Sequence, residues 1–151
     1  MESLACGEIT LRQQESKNLV VFVSDPFEEL TDLRVTVDDV IYMPSLDAPE
    51  DRPHPFVYFI SIVNDGDEPV TIRGRKWVIR QENDEILVVE GDGVVSQTPR
   101  LESGGGDFTY NSYHVISHSS IAEGAFFGET DAGRRVFARI PEFELTLPGW
   151  A

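Results

Sequence analysis

The sequence predicts an all-β domain, a sandwich or a barrel. Three observations carry this. Short runs of β-branched and aromatic residues recur with turn residues about every ten positions. Several of those runs alternate apolar and polar residues with the two-residue period of a half-buried strand. No amphipathic helical pattern appears after residue 30. A chain of 151 residues suits one domain burying roughly 70% of its unfolded surface.

Taken in order, residues 1–29 read as an N-terminal extension, with Leu19-Val20-Val21-Phe22-Val23 able to supply one added strand before Asp25-Pro26 breaks it. Residues 30–148 read as the sandwich domain and 149–151 as a tail. Leu33, Val35 and Val37 alternate with polar residues. Met43 to Pro55 holds four prolines and reads as a surface loop. Phe56 to Val63 is apolar on nearly both faces, so it belongs in the middle of a sheet, and Asn64 to Pro69 is its turn. Val70-Thr71-Ile72 and Trp77-Val78-Ile79 form one strand pattern interrupted by Gly74, which marks a bulge.

Trp77 to Arg80 and Ile86 to Glu90 flank a polar Asn83-Asp84 turn, a hairpin signature. Glu102 to Gly106 turns into Asp107–Asn111, where Phe108 and Tyr110 share a face. Ala122–Thr130 and Arg135–Ile140 read as two strands joined at Asp131–Arg134. Pro141 removes a ladder donor and implies a bulge or an edge. Glu142 to Leu147 alternates and closes the domain, leaving Trp150 in the tail. Trp77, Phe59, Phe108, Tyr110 and Phe143 are the expected core aromatics.

Twenty-seven acids against twelve bases give a net charge of −15. Such a field repels phosphate backbones, so nucleic acid is not an expected partner. Basic protein surfaces or divalent cations suit it better. Cys6 is the only cysteine, which rules out an internal disulfide and a thiolate zinc site. No run reaches membrane-spanning length and no signal-peptide pattern opens the chain, so the expectation is the cytosol and no membrane. Nothing implies a cofactor. GxSxG, SxxK and HExxH are absent, and no catalytic residues are expected.

The candidate binding loop comprises Gly91, Asp92, Gly93 and Gln97, with Arg75 and Lys76 from the main basic cluster. Exposed amides in a Gly-x-Gly loop can cradle an anion. A dinucleotide fingerprint, however, needs a helix after the glycines, and Val94 to Pro99 starts none. The simpler expectation is a turn at Asp92-Gly93. Alternation would place Arg73 and Arg75 on one face, provided Gly74 leaves the register intact. His114 and His118 stand four apart but outside any helical pattern, and no metal site is expected of them. Asp65, Asp67 and Glu68 are the oxygen ligands that weak Mg²⁺ or Co²⁺ binding would use.

Several segments together resemble the ApaG domain family. They are Leu33 to Val37, Tyr58-x-Ile60-x-Ile62-x-Asn64-x-Gly66-x-x-Pro69-Val70 and Arg75-Lys76-Trp77-x-Ile79. Further along come Val89-Glu90-Gly91-x-Gly93-Val94-Val95, Gln97-x-Pro99, Phe108-x-Tyr110 and Ile140-Pro141-x-Phe143-x-Leu145. Lys76 replaces a histidine common before the tryptophan, and Ser96 replaces a third glycine. The strand runs themselves number seven to nine, and the resemblance implies that they form an immunoglobulin-like or fibronectin type III-like β-sandwich. It further implies a non-enzymatic module that binds a protein partner, with a homodimer left open. The alternative it carries is a small-anion or divalent-cation binder linked to cation homeostasis.

Overall fold

The computed structural model describes residues 27–151; the apolar run at 19–23 lies outside them. Nine strands follow one another: β1 (Glu28–Glu29), β2 (Leu33–Tyr42), β3 (His54–Asn64), β4 (Val70–Gln81), β5 (Ile86–Asp92), β6 (Arg100–Leu101), β7 (Gly106–Ile116), β8 (Ser120–Thr130) and β9 (Arg135–Leu145). They form two sheets. One runs β1-β9-β8-β4-β5 with β6 also on β4, and the other runs β2-β3-β7. All pairings are antiparallel except the short β1 on β9. The fold is a fibronectin type III-like sandwich with open edges. No helix long and apolar enough to cross a membrane occurs among the described residues.

One core lies between the sheets. Phe56, Tyr58, Ile60 and Ile62 of β3 join Trp77 and Ile79 of β4, Phe126 of β8 and Ile140 of β9 within it. The apolar run at 56–63 does occupy the centre of its sheet, paired with β2 on one side and β7 on the other. Two details differ from expectation. The strand begins at His54, so Pro55 is inside it; its carbonyl accepts from Met43 N–H at 2.9 Å, and a proline this near a strand's start costs little. Phe59 sits half-buried on the outer face of its sheet and outside the core, because alternation gives the inner face to its even-numbered neighbours.

The predicted bulges are present. The β4–β8 register shifts between Ile72 and Gly74, and the β8–β9 register shifts where Pro141 lies. The first shift sets up the site. Before it, Val70 and Ile72 are the buried positions of β4; after it, Trp77, Ile79 and Gln81 are. Inward positions thus change from even to odd numbers. Between β3 and β4, buried Asn64 gives Nδ2–H to the carbonyls of Glu68 and Leu101 (2.9 and 3.1 Å) and accepts from Gly66 N–H (3.0 Å). That side chain ties its own turn to β6. Trp150 is 75% exposed, with its ring 5.7 Å from Tyr42.

Candidate functional site

β5 and β6 lie on the same edge of β4, so they are one edge strand interrupted by residues 93–99. Two hydrogen bonds bracket the interruption: Gly93 N–H to Arg73 O (2.7 Å) and Ile72 N–H to Pro99 O (2.9 Å). Between them Val94 and Gln97 exchange both backbone hydrogen bonds, at 2.7 and 2.9 Å. The tight turn is therefore at Val95-Ser96 and not at the expected Asp92-Gly93. Its two central residues have φ of 42° and 67°, the type I′ pattern that Asn-Gly fills most easily. A β-branched residue at positive φ is strained, on the order of 1–3 kcal/mol. Val94 is fully buried and anchors the excursion, while Val95 at the tip is 39% exposed.

The glycines of the motif have steric reasons. At Gly93, with φ of 65°, a Cβ would lie 2.4 Å from the Gln97 carbonyl oxygen. At Gly91 a Cβ would lie 2.8 Å from the Arg75 guanidinium, which rests against the bare backbone there. Arg75 Nη1 donates to the Asp92 and Gly93 carbonyls at 3.0 and 3.1 Å, clamping the base of the excursion. Gly91, Asp92, Gly93, Gln97 and Arg75 are thus brought together. Lys76 is not. It faces the outer side of the sheet and pairs across the ladder with Glu90 at 3.5 Å. Arg73 is also separated from Arg75, pairing with Glu129 at 3.4 Å, because the bulge at Arg73, between Ile72 and Gly74, shifts the register. The basic cluster of the sequence is split over two faces.

Beneath Arg75 is a group of aromatic rings. Tyr58 lies 4.9 Å from Trp77, 4.6 Å from His114 and 6.2 Å from Tyr110, and Trp77 lies 4.6 Å edge-on to His114. Burial pushes the Tyr58 phenol up to about 12, with Ser112 and the Arg75 charge offsetting part of the rise. Burial also raises Tyr110. His114 is pushed down to about 3, first by burial and then by the positive charge of Arg75. A neutral imidazole sealed from solvent cannot exchange protons with a substrate on the surface. The other two histidines lie elsewhere: His118 is in the β7–β8 turn against Ser117, and His54 meets the Tyr42 hydroxyl at 2.9 Å. The three are not brought together.

Among the described residues no three His, Cys, Asp or Glu side chains converge on a point where a metal ion would sit. Asp65 is bound to Arg34 at 3.0 Å and Glu68 to Arg134, so both are engaged in ion pairs. Sequence reasoning missed the Val95-Ser96 turn and the Tyr58–Trp77–His114 cluster. One signal for the cluster was available. The shared face of Phe108 and Tyr110 continues, two residues at a time, through Ser112 to His114.

The geometry defines a two-sheet β-sandwich whose edge strand is interrupted by a backbone excursion. The ApaG domain family model matches residues 44–129, which span the whole excursion and Arg75. The chain is 37% identical over 109 residues to Protein ApaG of Shewanella woodyi, covering 72% of this chain and 86% of the relative. It is 32% identical over 128 residues to Protein ApaG of Ectopseudomonas mendocina, covering 84% and 98%. Among solved structures, the putative ApaA protein of Bordetella pertussis is similar at a TM-score of 0.69 with 29% identity, covering 82% of this chain and 99% of that one. The chain belongs to the ApaG domain family. The relatives' names attach no reaction to them.

Proposed function

We propose that this chain is a non-enzymatic, cytosolic interaction module that receives a protein partner at the 93–97 excursion and the adjoining open edge of β5. The observation that carries the reading is Val95, an exposed β-branched residue kept at positive φ by a clamp of hydrogen bonds. Strain of this kind persists only where the surroundings impose it, and it concentrates at functional positions. The neighbourhood supports the reading. Among the described residues β5 pairs only with β4 and β7 only with β3, and β7 lies near β6 on the same side of the sandwich. Unpaired strand edges are templates for an incoming segment. The net charge of −15 favours a basic partner.

Replacing Val95→Asn together with Ser96→Gly tests this. Both new residues accept the native backbone, so Tm is expected to rise by about 3–6 °C, from roughly 1–2 kcal/mol of relieved strain. Partner retention from native lysate is expected to fall at least tenfold. Undiminished retention by the stabilised variant would remove the excursion from the binding surface.

A further inference from the structure

The backbone of β5 can be phased from its two ends. At the hairpin Gln81 N–H donates to Glu85 O at 2.9 Å, and at the far end Gly93 N–H donates to Arg73 O at 2.7 Å. The register between them is unbroken, from Arg80 opposite Ile86 to Gly74 opposite Asp92. Hydrogen-bonded and non-hydrogen-bonded pairs alternate along an antiparallel ladder. Leu87, Val89 and Gly91 therefore turn their backbone groups to β4, while Ile86 and Val88 turn theirs away from it.

Among the described residues β5 pairs only with β4. Natural sheets commonly blunt such an edge with lysine, proline or a bulge. β5 has none of the three. It reads Ile86-Leu87-Val88-Val89-Glu90-Gly91-Asp92, with no register shift against β4. Ile86 is 52% exposed, and Leu87 and Val89 are only partly buried where they pack on the core. Charge is confined to the ends. From Gln81 to Pro99 there are acids at Glu82, Asp84, Glu85, Glu90 and Asp92 and no base. Lys76 on β4 answers Glu90 alone.

We propose that this edge takes an extended segment of a partner protein as an added strand, apolar at its centre and rich in lysine or arginine at both ends. The inference rests on the reading under Proposed function and gives its partner a chemistry. Ile86 and Val88 offer the backbone hydrogen bonds, and the apolar centre covers what Leu87 and Val89 leave exposed. The acids at either end attract basic residues and repel a second copy of this chain, itself charged −15. The 93–97 excursion stands at the end of β5 and stops the added strand there.

The probe is a synthetic peptide as long as β5, with valine and threonine at its centre and lysine at both ends. Saturable binding to the wild-type chain is expected, with slowed hydrogen exchange of the Ile86 and Val88 amides. The same peptide ended in glutamate is expected to bind at least about tenfold more weakly. Val88→Pro deletes an outward N–H that β4 does not use, a place where edge strands tolerate proline. It is expected to weaken binding about tenfold, the worth of one hydrogen bond, whereas Val88→Thr keeps the N–H and the affinity. No saturable binding, no preference for lysine, or equal affinity in a folded Val88→Pro would each overturn the proposal. So would slow exchange of both amides without peptide: unchanged by dilution it marks cover from the chain itself, and lost on dilution it marks a second copy. If the peptide fails while Val95→Asn with Ser96→Gly still loses its lysate partner, the added strand falls and the excursion stands.

Discussion

Trp77→Ala is expected to remove about 3–5 kcal/mol of stability, as truncating a large buried aromatic does when the cavity cannot collapse. Small domains have only about 5–15 kcal/mol in total, so the variant should unfold near or below physiological temperature. The reason lies in where the indole sits. It is fully buried, 4.9 Å from Tyr58, 4.6 Å from His114 and 5.8 Å from Phe143, so it joins β4 to β3, β7 and β9 at once. Rings from both sheets cannot close over that volume without moving strands. Urea unfolding of wild type and variant measures the difference; a loss under about 1 kcal/mol would show that Trp77 does not bridge the sheets as described.

His114 governs a pH dependence. Its folded-state value, about 3, lies below the ordinary 6.5, because burial and then the Arg75 charge disfavour the imidazolium. Between those two values the unfolded chain binds the proton and the folded chain does not. The stability contributed by neutral His114 is therefore fully present above pH 6.5 and is lost progressively as pH falls toward 3. From pH 7.5 to 5 the expected loss is about 2 kcal/mol, a range where most carboxylates have yet to titrate. His114→Phe should flatten this slope even if it lowers overall stability. An equal slope in the variant would place the titration elsewhere.

The sequence disclosed what depends on period and punctuation. Residues 56–63 form a central strand because they are apolar on both faces, and Asn83-Asp84 closes the β4–β5 hairpin with Asp84 at φ of 72°. Gly74 and Pro141 mark real register shifts. What it concealed followed from one of those shifts. A bulge displaces every later side chain by one position, so Arg75 and not Lys76 turns inward, and Arg73 and Arg75, which plain alternation would place on one face, are parted. The turn was hidden for a different reason. Asp-Gly is the usual turn chemistry, yet tertiary brackets at Arg73 and Pro99 impose positive φ on Val95 and Ser96 instead. Ser96, with φ of 67°, holds a backbone conformation that glycine adopts without strain.

These placements define the surface proposed for the partner: Val95 and Ser96 at the tip, Gly93 and Gln97 at the neck, Arg75 at the base. The most direct measurement is site-specific photo-crosslinking in native lysate, with the reactive side chain installed at Val95 and, as a control, at Glu144 on the outer face near the opposite end of β4. The account predicts a discrete adduct with one protein from position 95 and none from position 144. Equal labelling from both positions, or an adduct only from 144, would contradict it.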